Sequence, residues 1–107
     1  MNERQDYVRD LLAAYRSAPG TIGVIRRSDR LLAGQLYDRA VPLSVVLNAL
    51  VLASVRRLIR PIDAPPLPPI RSLAYYSHVI EEVLGLDVGD DYFQHLRAKL
   101  RPHPPTP

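Results

Sequence analysis

Residues 41–61 read VPLSVVLNALVLASVRRLIRP. The stretch starts like the second half of a helix-turn-helix, stays apolar from Leu43 to Val55, and then turns basic. Three readings compete. A membrane span needs about 20 apolar residues, and this run is shorter and broken by Ser44, Asn48 and Ser54. A recognition helix must offer polar side chains to base edges or phosphates, whereas the outward face here would be Val45, Leu47, Val51 and Leu52. Each such side chain favours burial by about 1.5–3 kcal/mol, and a helix apolar all round belongs in a core. The stretch is therefore expected to be a central buried helix over about 42–60. Pro42 stands in its first turn, where a missing N–H costs nothing. Pro61 ends it, and Arg56, Arg57 and Arg60 lie where cations favour the helix dipole.

Working outward, the spacing predicts four further helices and an all-α, compact bundle of four to five helices. Val8, Leu11, Leu12 and Tyr15 recur at three and four over about Glu3–Ser17, and APG at 18–20 stops that helix. TIGVIRR (21–27) reads as a packing loop, since no second strand is apparent to pair with it. Ser28 is the expected N-cap of a helix over about 29–40 that buries Leu31 or Leu32, Leu36 and Ala40. PIDAPPLPP (61–69) holds five prolines and reads as a stiff extended strap. Ser72 is expected to cap a helix over about 73–84, with Gly85 as its C′ residue. Its stripe is Leu73, Tyr76, Ile80, Val83 and Leu84, so the adjacent Tyr75 is expected to stay outside. Asp90 or Asp91 would cap a short fifth helix in YFQHLRAKL (92–100). One domain over 1–100 and a disordered tail over 101–107 complete the reading.

Charge is unevenly placed. Residues 26–71 carry eight arginines against Asp29, Asp38 and Asp63, whereas residues 72–91 carry five acids and no base. Thirteen of the fourteen basic residues are arginine, whose planar fork suits phosphate and carboxylate. Arg26, Arg27 and Arg30 flank the second helix, Arg56, Arg57 and Arg60 end the third, and Arg71 begins the return. Brought to one side, these seven would form a phosphate-binding patch for a DNA or RNA backbone.

Other chemistry is poorly represented. There is no cysteine, so disulfides and thiolate sites are excluded. His78, His95 and His103 are far apart. His78 and Glu82 share a helix face, which reads as a surface pair rather than a metal site. PGTIG lacks the lysine and preceding strand of a phosphate loop, and no serine has a histidine partner in a recognised arrangement. No cofactor and no enzymatic activity are expected. MNERQDYVRDLL is not a secretory leader, so a cytoplasmic chain that does not span a membrane is expected.

The order LYDRAVP (36–42), LSVVLNALVLAS (43–54), a connection, and IRSLAYYSHVIEEVLG (70–85) resembles the C-terminal domain of DnaD-like replication-initiation proteins over about residues 28–86. Ser44, Val46 and Ala49 match that family's hub, and Tyr76 and Ile80 match its terminal-helix pair. The resemblance implies a small bundle that binds DNA and other initiation proteins. IRSLAYYSHVIEEVL (70–84) also resembles small proteins of bacterial mobile elements. An alternative follows from the apolar face of the central helix: a protein–protein adaptor, homo-oligomeric through Val45, Leu47, Val51 and Leu52.

Overall fold

In the computed structural model, residues 2–86 and residue 98 are described. Four α-helices and one 3-10 turn form an all-α bundle: α1 (Glu3–Ser17), α2 (Arg27–Asp38), α3 (Leu43–Leu58), the turn Leu73–Tyr76, and α4 (Ser77–Leu84). The expected fifth helix and the tail lie outside the described residues, apart from residue 98, which is helical.

α1 spans the expected residues. The Asn2 side chain accepts from the N–H of Arg4 at 2.9 Å and of Gln5 at 3.4 Å, satisfying donors that a helix start leaves orphaned. Leu11, Leu12 and Tyr15 are buried, and Val8 is half-buried.

α3 is the interior helix. Val46, Ala49, Leu50, Leu52, Ala53 and Val55 are buried along it, so apolar contact covers more than one face. It packs against α4, α1 and the 3-10 turn, while α2 packs on α1 and the same turn. The hub is thus shared: α2 joins it chiefly through α1. The helix begins at Leu43, with Pro42 just outside as N-cap, and ends at Leu58, two residues short of the expectation. Arg60 therefore lies beyond the helix. Among the described residues no helix is long and apolar enough to cross a membrane.

The start of α2 differs from the expectation. Arg26, not Ser28, occupies the N-cap, and Asp29 is the third helical residue. Its Oδ2 accepts the Arg26 N–H at 2.8 Å, the reciprocal half of a capping box. Its Oδ1 accepts the N–H of Leu73 at 2.9 Å. One carboxylate, 1% exposed, thus caps its own helix and the 3-10 turn 44 residues away. Ser72, the expected cap, makes no side-chain cap bond.

Helix ends explain two further differences. Ala40 is exposed rather than buried, with φ at 59°. The Ala40 N–H donates to Tyr37 O at 2.8 Å and the Val41 N–H to Leu36 O at 3.0 Å, the two bonds of a Schellman motif. Gly85 ends α4 in the right-handed region, φ −89°, so its freedom to be left-handed is unused. In α2 it is Ala33 and Leu36 that are buried, while Leu31 is exposed and Leu32 half-buried.

The loop after α1 does find a partner. Thr21 and Ile70 form an isolated parallel bridge, with Ile22 N–H to Ile70 O at 3.0 Å and Ile70 N–H to Gly20 O at 2.7 Å. Ile70 is the first residue after the strap that can donate, since Pro68 and Pro69 have no N–H. It is 1% exposed, so it anchors the strap by both burial and pairing.

Candidate functional site

The strap creates a demand for donors. Five of its nine residues are proline, so it has carbonyls to satisfy and few N–H groups to pair. Arginine has five donors and no acceptor, and the last turn of α3 and the residues just after it supply two arginines to meet that demand. Arg57 Nη2 donates to Pro68 O at 3.0 Å, and Arg60 Nη2 donates to Pro65 O at 2.7 Å. Arg57 Nη1 also donates to the Tyr75 hydroxyl at 3.2 Å, and its guanidinium carbon stands 5.7 Å from the Tyr75 ring centre, within cation–π range.

Arg56, one residue earlier, has a different partner. Its Nη1 donates to Glu82 Oε2 at 2.8 Å, and its Nη2 donates to Glu82 Oε1. The hydrogen bond and charge of Arg56 hold the Glu82 carboxyl below its ordinary range. Arg39 pairs likewise with Glu81 at 2.7 Å. The acidic α4 therefore faces two of the central arginines and compensates them.

Arg57 and Arg60 are held by neutral groups. Carbonyl and phenol oxygens orient a guanidinium without cancelling its charge. Together with Arg56, Leu67, Tyr75 and His78 they line a hollow of about 270 Å³. A second hollow, about 280 Å³, lies beside Pro19, Gly20 and Leu58 and is lined by the same two arginines. The pair thus forms a fixed cationic ridge with N–H groups to spare. The arrangement can bind an anion such as a phosphate, and Tyr75, 40% exposed, offers a ring beside it for stacking. Tyr76 by contrast is fully buried, edge-on to Tyr15 with ring centres 6.1 Å apart. Burial pushes its phenol up to about 12.

The other four expected residues, Arg26, Arg27, Arg30 and Arg71, are exposed. Among the described residues their side chains make no ion pair. The bond from Leu73 to Asp29 draws the segment after Arg71 against the start of α2. Arg30 lines a separate groove between α1 and α2. The sequence reading thus named the arginines of the ridge but missed the acceptors that fix them, the carbonyls of Pro65 and Pro68. The strap's lack of N–H groups was the available signal. Among the described residues no group of three or more His, Asp or Glu could hold a metal ion.

No protein-family model matches the chain, and no curated protein or solved structure matches it.

Proposed function

We propose that this chain is a small nucleic-acid-associated accessory protein, of bacterial replication or mobile-element type, that grips a phosphate backbone through arginines. The observation that carries the reading is the ridge of Arg57 and Arg60, whose cations are oriented by carbonyls and have no carboxylate partner among the described residues. A second feature points the same way. Arg26, Arg27 and Arg30 crowd the start of α2, where the helix dipole disfavours cations by roughly 0.3–1 kcal/mol each. A polyanion would offset that cost. The likeness of residues 28–86 to DnaD-like domains supports the same class of partner. Phosphate contacts would come from Arg57 and Arg60, and from Arg26, Arg27, Arg30 and Arg71. Arg56, already engaged by Glu82, would contribute less.

Fluorescence anisotropy with labelled single- and double-stranded DNA and RNA tests this. Affinity should fall steeply with salt, and the log–log slope should shrink by about two in the Arg57→Ala/Arg60→Ala double variant. Arg56→Ala should change the slope by less than one. An absence of binding to every nucleic acid at low salt overturns the proposal.

A second reading, the protein adaptor, is favoured by a specific surface. Leu58, Ile59 and Ile62 are 65%, 76% and 105% exposed at the end of α3. Half-buried Leu47 and Val51 also line an apolar hollow of about 370 Å³ beside Ala14 and Ala18. Light scattering over a range of concentrations separates the readings. A concentration-dependent dimer that loses mass in Ile59→Ser/Ile62→Ser supports the adaptor, and a strict monomer removes its homo-oligomeric form.

A further inference from the structure

A further concavity lies away from the ridge. A groove of about 640 Å³ runs between α1 and α2. On α1 its lining residues fall in two rows, 4-8-12-16 and 5-9-13, which is the spacing of one helix face. The twelve steps from Arg4 to Arg16 rise about 18 Å, so the groove has the length of a three-turn helix. Its floor is apolar: Val8 and Leu12 from α1, Ile25 and Leu31 from α2 and the preceding loop. Leu31, 55% exposed, is an aliphatic side chain that the fold itself does not cover.

The rim is cationic, and its four arginines divide by position. Arg4 is bound by Asp38 through Nε at 3.1 Å and Nη2 at 3.3 Å, and lies against Gly34, where a side chain would leave it no room. Arg9 is bound by Asp6 at 3.0 Å and Asp10 at 3.1 Å. Arg16 and Arg30 are exposed, and among the described residues neither has a carboxylate partner. Arg30 moreover stands in the first turn of α2, where its charge opposes the helix dipole. The groove therefore presents a greasy floor with uncompensated positive charge at one end.

We infer that this groove is a docking site for an acidic amphipathic helix of a partner protein. Such a helix would lay its apolar face on Val8, Leu12, Ile25 and Leu31 and direct Glu or Asp side chains at Arg16 and Arg30. Charge complementarity and the apolar floor together select this occupant. A phosphodiester backbone would satisfy the arginines but would leave the floor wet. The site is separate from the ridge of Arg57 and Arg60 and shares only Arg30 with the proposed phosphate contacts, so it stands or falls independently of nucleic-acid binding at the ridge.

The test uses the full chain and a labelled synthetic peptide of about twelve residues, with Leu at i, i+3, i+4 and i+7 and Glu elsewhere. The control peptide has the same composition with its leucines spread round the helix. Anisotropy should show saturable binding of the patterned peptide and at least tenfold weaker binding of the control. Arg16→Ala/Arg30→Ala should weaken the patterned peptide at least fivefold, and Leu31→Ser at least threefold. Arg57→Ala/Arg60→Ala should leave it unchanged. All of these substituted residues in the groove are exposed, and circular dichroism would verify that the variants keep their helix content. Equal binding of the two peptides, or no response to the Arg16 and Arg30 changes, overturns the inference. If those changes weaken duplex DNA but not the peptide, the groove serves nucleic acid and the inference is likewise overturned.

Discussion

The proline strap and the segment that follows it are both tied down by charged side chains, and they are tied in opposite ways. Beyond the strap the Asp29 carboxylate, fully buried, accepts from the Leu73 N–H, with its second oxygen on the Arg26 N–H. Within the strap the Pro68 and Pro65 carbonyls accept from Arg57 and Arg60, which are half in solvent. In each case an ion grips the main chain, because main-chain dipoles can satisfy a charge without neutralising it. Burial decides the rest. The buried ion is committed to structure, whereas the half-exposed ions keep donors and charge for an external ligand. Arginine count along a sequence is therefore a poor measure of available charge.

Replacing the buried ion should have the larger effect. Asp29→Ala leaves two amide N–H groups without an acceptor and uncaps two helical segments at once. Hydrogen bonds to charged groups contribute about 1.5–3 kcal/mol, so a loss of about 3 kcal/mol is expected in urea unfolding. Asp29→Asn should recover part of it, since one carbonyl oxygen remains. A loss below about 0.5 kcal/mol, the range of an ordinary surface change, would show that the two places are not held differently.

How much of this was legible beforehand follows the range of the interactions. α1 and the burial of α3 rest on local periodicity, and both were readable: Leu11, Leu12 and Tyr15 on one stripe, and apolar residues on every side of 43–55. The Asp29 cap shows the boundary. Its bond to Arg26, three residues away, has a local signature that the choice of Ser28 overlooked. Its bond to Leu73 spans 44 residues and leaves no local mark. The arginines show it again. Arg56 and Arg57 are indistinguishable in the sequence, yet one step along a helix turns the side chain by about 100°. That step sends Arg56 to the Glu82 carboxylate on α4 and Arg57 to the strap.

Changes at Gly20 and Arg57 sharpen the contrast at the half-exposed arginines. Gly20 has φ at 84°, and a Cβ there would stand 3.2 Å from the Arg57 Nε and Nη2, while its carbonyl holds Ile70. Gly20→Ala should cost about 1–2 kcal/mol for the left-handed backbone and disturb the arginine as well. Arg57→Ala removes the Pro68 and Tyr75 bonds from a partly solvated site, so about 1 kcal/mol is expected in the same unfolding experiment. Arg57→Lys should restore little, since a point-like ammonium cannot span both acceptors. The prediction specific to the half-exposed arginines is that Arg57→Ala harms anion binding more than it harms stability, the reverse of Asp29→Ala.

The smallest effect should come from the pairing that neutralises charge. Glu82 and Arg56 are both exposed, and exposed ion pairs contribute little. The carboxyl lies below its ordinary 4.5 in the folded chain, mainly through its hydrogen bond to Arg56. A depressed carboxyl adds stability that is present above the unfolded value and lost as pH falls through the folded one. Thermal melts of wild type and Glu82→Gln should therefore differ slightly at neutral pH, with wild type higher. The gap should close in acid, below the folded carboxyl's value. A gap that persists in acid would mean that the glutamine side chain disturbs packing between α3 and α4 rather than an ion pair. A gap at neutral pH as large as that of Asp29→Ala would remove the distinction between a buried ion held by the backbone and an exposed one held by its opposite.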